Sequence, residues 1–444
     1  MPRDQLKKVF ALFCPSVPIT DPSRLVGREQ ECIDLARALL APGRHVVVFG
    51  DRGVGKTSTA KVVTTSLCKD DSHQFIEYQC GTMDTYMDIV GKVLADCGKL
   101  SIAKKKSDSH EQVVSAGIRA IIADGGAQSK RTAVFETVDL VQVNLTPDLF
   151  ARHLVGINGI ALLDEFDRIK DEDTKRFFAE TMKALSNYNS GLKFLICGVS
   201  NSASTLIGTH QSMNRNLKAI KIPYMPPSDL RRIIDDGLEQ LSISFDSRLK
   251  DAIVWVSCGL PYFTHLLCEE LAVYAITKRR NNLNLLDLRH ATQLAINNVA
   301  DGIEADYEHA VSDSPSPTSF FSSADPNQPS IGSNQTPRQV KRFVVHAVAL
   351  TAGTGGTLDK VAIVVQRLVS ITGAWMPHEY AQIDGVQIET ILEEIAEVQP
   401  YIEISSSRAS FNSPFHRAYA LLRALTEYER IPPTEILSLG MPEC

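Results

Sequence analysis

Several protein classes are excluded by what the chain does not contain. Its nine cysteines are an odd number, none forms a C-x-x-C pair, and several lie in apolar runs. Such spacing excludes a disulfide framework and a zinc site and fits the reduced, buried thiols of a cytoplasmic protein. No apolar run reaches the roughly 18 residues that cross a bilayer, and residues 1–13 carry no signal-peptide core, so no membrane association is expected. Bulk positive charge is missing as well. Lys and Arg number 46 against 52 Asp and Glu, a formal net charge of −6, which argues against coating nucleic acid by charge alone. There is no H-E-x-x-H metal motif, no G-x-S-x-G nucleophile elbow and no repeat of 20–50 residues. What remains, at 444 residues with 44% hydrophobic and 22% charged residues, is an ordinary globular chain. At roughly 100–200 residues per domain it holds two to four domains.

The order of patterns predicts how those domains follow one another. HVVVF at 45–49, FIEYQC at 75–80, GIALLD at 159–164, LKFLICGVS at 192–200 and AIKIPYM at 219–225 read as strands. Helical stretches separate them, from Thr57 onward, over 85–98 and in FFAETMKALSNY. Alternation of this kind predicts an α/β domain on a mainly parallel sheet. AKKKSDSH at 103–110 reads as an exposed loop, and RTAVFETVDLVQV at 131–143 as a strand or hairpin. From 226 to about 298 the periodicity is helical throughout. Residues 312–337 are dense in Ser and Pro, a composition that buries too little surface to offset ordering entropy. Helices, a hairpin and a closing helix then follow, the order of a winged helix. The expected division is an α/β core over 1–225, a helical lid over 226–300, a flexible linker over 301–337, a winged-helix domain over 338–430 and a tail over 431–444.

Gly50-Asp51-Arg52-Gly53-Val54-Gly55-Lys56-Thr57, with Ser58 next, matches G-x-x-x-x-G-K-[ST]. Glycines let consecutive backbone N–H groups curl around phosphate oxygens, and the helix that follows offers its N-terminus to the same charge. Lys56 reaches the β- and γ-oxygens, and the Thr57 hydroxyl is placed for Mg²⁺. By composition alone the bare pattern arises in about one chain in a hundred of this length, and the flanking strand and helix lower that further.

The strand Ile160-Ala161-Leu162-Leu163 delivers Asp164 and Glu165 to its C-terminal end. In an open α/β sheet that is the ligand edge, where the glycine loop also lies. Asp164 is the candidate Mg²⁺ ligand, directly or through water, and Glu165 the general base for the water that attacks the γ-phosphate. Asp167, the alternative acid, reads as the start of the next helix.

Together these two motifs resemble the P-loop NTPases that carry a catalytic glutamate, and more narrowly the AAA+ and STAND ATPases, over about residues 24–300. The likeness is to origin-recognition and prokaryotic STAND-like ATPases. With no N-K-x-D motif for guanine, ATP is favoured over GTP. The resemblance implies further roles. Leu25-Val26-Gly27-Arg28-Glu29 is similar to the box that lines the adenine pocket, so Val26, Gly27 and Arg28 are expected at the nucleotide. Asn201, with Ser200 as the alternative, stands where the family senses the γ-phosphate or the attacking water. Arg215 stands where the family places an arginine facing the neighbouring subunit's ATP, or is an ordinary surface residue. Gly259-Leu260-Pro261 resembles the G-x-P of STAND ATPases, with Pro261 beside the adenine; Tyr262 occupies the neighbourhood where many AAA+ members carry a sensor arginine.

The winged segment chooses among partners. From 338 to 430 nine basic residues face ten acids, and the helix VQIETILEEIAEV that would enter a DNA groove is acidic. A protein-contact or regulatory role is favoured over DNA reading. The expected function is an ATP-binding and ATP-hydrolysing molecular switch in which Mg-ATP controls domain rearrangement, self-association into a homo-oligomer or binding of a protein partner. The alternative is an ATP-dependent DNA-binding ATPase of the initiator or transposition-regulator kind, and a third reading is a scaffold that binds ATP but barely hydrolyses it.

Overall fold

The computed structural model describes residues 2–69, 73–98, 101–103, 117–119, 146–207, 215–299, 301–312, 336–352 and 356–442. The chain forms two compact units: Pro18–Pro223, and Met1–Val17 together with Tyr224–Cys444. Among the described residues no helix is long and apolar enough to cross a membrane.

The first helix, α1 (Pro2–Leu12), belongs to the second unit. The α/β unit contains α2 (Glu29–Leu40), β1 (His45–Gly50), α3 (Lys56–Leu67), β2 (Gln74–Gln79) and α4 (Tyr86–Asp96). A small antiparallel pair, β3 (Ser101–Ala103) and β4 (Gly117–Arg119), precedes α5 (Pro147–His153). There follow β5 (Gly159–Asp164), α6 (Glu172–Asn187), β6 (Leu192–Val199), α7 (Ala203–Ile207) and β7 (Leu217–Lys221). The expected lysine-rich loop beyond Ala103 and the expected strand or hairpin at 131–143 lie outside the described residues.

Five parallel strands form the sheet, in the order β2-β5-β6-β1-β7. The three inner strands are buried almost without interruption, which is why they read as continuous apolar runs rather than as alternating ones. Phe150, Phe166, Phe178 and Phe194, all fully buried, pack edge-on or tilted at ring centroids of 5.6–6.5 Å beneath the sheet. One expected strand is shorter than its pattern. β7 ends at Lys221, because the prolines at 223 and 226 cannot extend a hydrogen-bonded ladder.

The second unit is helical: α8 (Pro227–Leu241), α9 (Ser247–Val256), α10 (Pro261–Lys278), α11 (Leu288–Asn298) and α12 (Asp301–Ala310). The two-residue strands β8 (Ser244–Phe245) and β9 (Asn282–Leu283) pair within it. Then come α13 (Arg338–Thr351), α14 (Leu358–Thr372), α15 (Gly385–Val398), the hairpin β10 (Ile402–Ser405) and β11 (Arg408–Phe411), α16 (Pro414–Glu427) and α17 (Pro433–Leu437). Three helices followed by an antiparallel hairpin keep the order expected of a winged-helix module.

Three expected boundaries are corrected. Residues 1–17 do not go with the α/β core: Val9 and Phe13 are fully buried in the helical unit, where an added Cβ on Gly237 would lie 2.3 Å from the Phe13 ring. An amphipathic helix has to bury its apolar stripe, and α8 and α10 provide the matching surface. The linker does not start at 301, since α12 occupies 301–310; Tyr307 is fully buried there, and Glu308 pairs with Arg423 at 3.0 Å and with Arg338. Residues 313–335 lie outside the described residues. The tail contains α17, with Ile436 and Leu437 buried.

The helices expected as a lid and the winged module share this unit. Arg289 of α11 donates from Nε to the Leu425 carbonyl and from Nη2 to that of Tyr428, both at 3.1 Å, and also to the carbonyls of Glu429 and Ile431. These are acceptors at the C-terminal end of α16, where a cation complements the helix dipole. Arg417 lies over the Trp255 ring at 5.3 Å, and the Phe263 and Phe415 rings pack at 4.6 Å.

Candidate nucleotide site

β1 ends at Gly50, whose φ of 145° and lack of a side chain are both required: a Cβ there would approach the Ile222 carbonyl oxygen to 2.6 Å. The chain then loops through Val54 and reaches Gly55, the left-handed N-cap of α3. Lys56 is buried, and its Nζ donates to the Gly50 and Asp51 carbonyls at 3.1 and 2.8 Å. Burial pushes its pKa down, opposed by nearby Cys197, Asp167, Asp164 and Asp51. The loop is thus wrapped around a cation whose hydrogen bonds a phosphate can replace.

The acid strand meets this loop from the other side. Thr57 Oγ1 donates to the Asp164 carboxylate, 2.9 Å from Oδ2 and 3.2 Å from Oδ1. Asp164 is buried, which raises its pKa, while the bonds from Thr57 and from the Glu165 amide pull it back. A hydroxyl and a carboxylate at the mouth of a phosphate loop are hard oxygen donors of the kind Mg²⁺ takes with one or two protein ligands. Glu165 turns the chain away with φ 54°, and its carboxylate pairs with Arg168 at 2.7 Å. Both side chains are about half exposed, so the pair contributes about 0–1 kcal/mol and is readily exchanged.

β6 lies between the loop strand and the acid strand, so its tip is delivered between them. Asn201 follows that tip and is exposed. The Ser200 hydroxyl is used locally, donating to the Ser202 carbonyl at 2.7 Å. Asp167 departs from expectation. It does not open the next helix, which starts at Glu172 behind its N-cap Asp171; it lies in a 3-10 turn, and its carboxylate accepts from the Val199 amide at 2.7 Å. The one available signal was its spacing, three residues beyond Asp164.

Arg28, fully buried, donates from Nη2 to the carbonyls of Val54 and Pro223, each at 2.8 Å. Its guanidinium therefore braces the loop from behind. Val26 and Gly27 are half-buried, and the Ile19 amide donates to Ser58 at 3.1 Å, fixing the segment before the box to α3. Between α2 and α3 an apolar cleft of about 330 Å³ is lined by Leu25, Arg28, Cys32, Ile33, Val62 and Leu67. Two further residues selected by sequence lie elsewhere in the chain. Arg215 precedes β7 on the sheet edge where His45 pairs with Leu217, while the loop leaves from the opposite end, about 16 Å along the strand. Pro261 begins α10 in the other unit, after the left-handed turn at Gly259.

Residues 24–190 match the family model described as an AAA ATPase domain. No curated protein matches the chain. Among solved structures it is similar to a Walker-type ATPase of Pyrococcus abyssi, at 14% identity over 93% of this chain and 99% of that one, with a TM-score of 0.47. It is also similar to Cdc6p of Pyrobaculum aerophilum, at 14% identity over 95% and 98% with a TM-score of 0.44. The Aeropyrum pernix Orc1 protein, solved in complex with DNA, aligns at 13% identity over 96% and 98%, also with a TM-score of 0.44. With its glycine loop, its acid-tipped strand and the family match that spans both, the segment 24–190 is an AAA ATPase domain, and the chain that carries it is a P-loop ATPase.

Proposed function

We propose that this ATPase is a nucleotide-controlled switch of the STAND-like kind, in which hydrolysis at the loop resets the helical unit for self-association or for a protein partner. The observation that carries the reading is the 2.9 Å contact of Thr57 with Asp164 beside Lys56, which brings the candidate metal ligands and the phosphate cation to one point. Amides of residues 50–57 and Lys56 would bind the β- and γ-phosphates, and Leu25, Val26 and Gly27 would border the base. Thr57 and Asp164 would hold Mg²⁺, whose charge would offset the negative charge developing on the transferred phosphoryl group. Glu165, released from Arg168, would take the proton of the attacking water, and Asn201 would orient that water or the γ-phosphate.

The switch half rests on the second unit. Arg289 joins the helical lid to the winged module, and chain crossings at 17/18 and 223/224 connect that unit to the ATPase domain. A DNA-reading role is less well supported, because α15 exposes Glu389, Glu393 and Glu397 on one stripe, which repels phosphate. Arg215, on the far sheet edge, would serve only a neighbouring copy.

ATP turnover by the purified chain and by Glu165→Gln tests the chemistry: the variant should lose at least about a hundredfold in kcat while binding ATP as before. Wild-type turnover in Glu165→Gln overturns the assignment. Solution mass with ADP and with a slowly hydrolysed ATP analogue tests the switch; identical masses at all protein concentrations argue against control of self-association.

A further inference from the structure

The hydrogen bond from the Val199 amide to Asp167 stands at a place where the sheet is short of an acceptor. β5 pairs with β6 only as far as Leu163 opposite Ile196, and the chain turns away at Glu165. On its other side β6 continues to pair, with Val199 opposite Gly50, the first residue of the phosphate loop. The β6 tip is thus held by β1 alone through its backbone, and the Asp167 carboxylate supplies the acceptor that β5 no longer offers. The approach is close: a Cβ on Gly198 would lie 2.9 Å from Asp167 Oδ1 and 2.6 Å from the Leu206 side chain. A methyl group at 198 would have to displace one of these two side-chain ends.

We propose that Asp167 is a positioning residue for ATP hydrolysis. Its carboxylate ties the tip of β6 to the same short turn that presents Glu165, so the residues after the tip, Ser200 and Asn201, are held at a fixed distance from the general base. The bond to the Val199 amide carries this role, and the negative charge of Asp167 is secondary to it. The proposal rests on the assignment of Glu165 and Asn201 to the hydrolytic step.

The full chain is measured as wild type, Asp167→Ala, Asp167→Asn, Asp167→Glu and Glu165→Gln. Each is read for kcat and KM of ATP turnover and for affinity toward a fluorescent ADP analogue. Asp167→Ala should lower kcat by about tenfold or more with ADP affinity within about threefold, because the phosphate loop keeps its own contacts. Asp167→Asn keeps an acceptor oxygen at the same reach and should recover most of kcat. Asp167→Glu keeps the charge but moves the oxygen by one methylene and should stay impaired. The Asn and Glu pair decides the matter even where the alanine variant does not fold. An inactive Asn variant beside an active Glu variant, or unchanged kcat in Asp167→Ala, overturns the proposal. If Glu165→Gln also turns over at the wild-type rate, the hydrolytic assignment fails instead, so the two failures are distinguishable.

Discussion

Replacing Arg28 by alanine removes a guanidinium that is 2% exposed and donates to two carbonyls at 2.8 Å, one in the phosphate loop and one at Pro223, the last residue of the α/β unit. Charge-assisted hydrogen bonds contribute about 1.5–3 kcal/mol each, and the substitution also leaves both acceptors without their donor. Relief from burying a cation offsets part of this, which leaves a net loss of about 3 kcal/mol. For a domain of this size, that corresponds to a melting temperature lower by about 6–12 °C. Because one acceptor is Val54, the loop loses its brace and ADP should bind about tenfold more weakly. Arg28→Lys should recover only part of either loss, since a single ammonium does not reproduce the planar fork. Differential scanning calorimetry with and without ADP, together with a titration of ADP into the folded protein, measures both quantities. An alanine variant that melts within about 2 °C of wild type and binds ADP equally well refutes the bracing argument.

Thr57→Ala should raise the Mg²⁺ concentration needed for half-maximal turnover by about tenfold, while ADP binding without metal stays close to wild type; an unchanged metal requirement would remove Thr57 from the ligand set. Arg289→Ala should destabilise the helical unit by about 2–4 kcal/mol and separate its melting into two steps, because several carbonyls at the end of α16 lose their donor; a single unshifted transition by calorimetry argues against that coupling. Acid should weaken both units. His45 is pushed down to about 3 by burial and by Lys193, and His346 to about 4 by burial, which outweighs the pull of Glu427. Each stays neutral in the folded protein while the unfolded imidazole protonates near pH 6.5, so the stabilisation is complete above about pH 6.5 and declines as pH falls toward the folded values. The slope is about 1.4 kcal/mol per pH unit for each histidine. Melts at about pH 7.5 and about pH 5.5 should show this loss, and His346→Gln should flatten it in the helical unit; a pH-independent wild type contradicts the reasoning.

The nucleotide loop was legible in sequence because its chemistry is local: backbone amides, lysine and threonine must be consecutive to surround one phosphate group. The acid pair was legible for a related reason, since a parallel strand buried on both faces must be apolar until it reaches the ligand edge. Asp167 was not, because its role depends on the left-handed turn at Glu165 and on the Val199 amide, which comes from another strand. The α/β expectation stood because inner strands and helices differ in period. The placement of α1 did not, because its apolar face looks the same whichever distant surface covers it. Helix α12 was hidden by the Ser- and Pro-rich stretch that follows it, although Tyr307 and the glutamates around it pair with residues near 338 and 423.

Because α1 docks among helices encoded more than two hundred residues later, the ATPase segment is in effect inserted into the helical unit. During synthesis the first helix leaves the ribosome long before its seat exists, while residues 18–223 are complete before the rest of the helical unit is made. Removing residues 1–13 would keep every residue of the phosphate loop in the chain and take away the Phe13 ring that lies beside Gly237. The first sign of such a deletion would be aggregation of a distant region rather than loss of turnover.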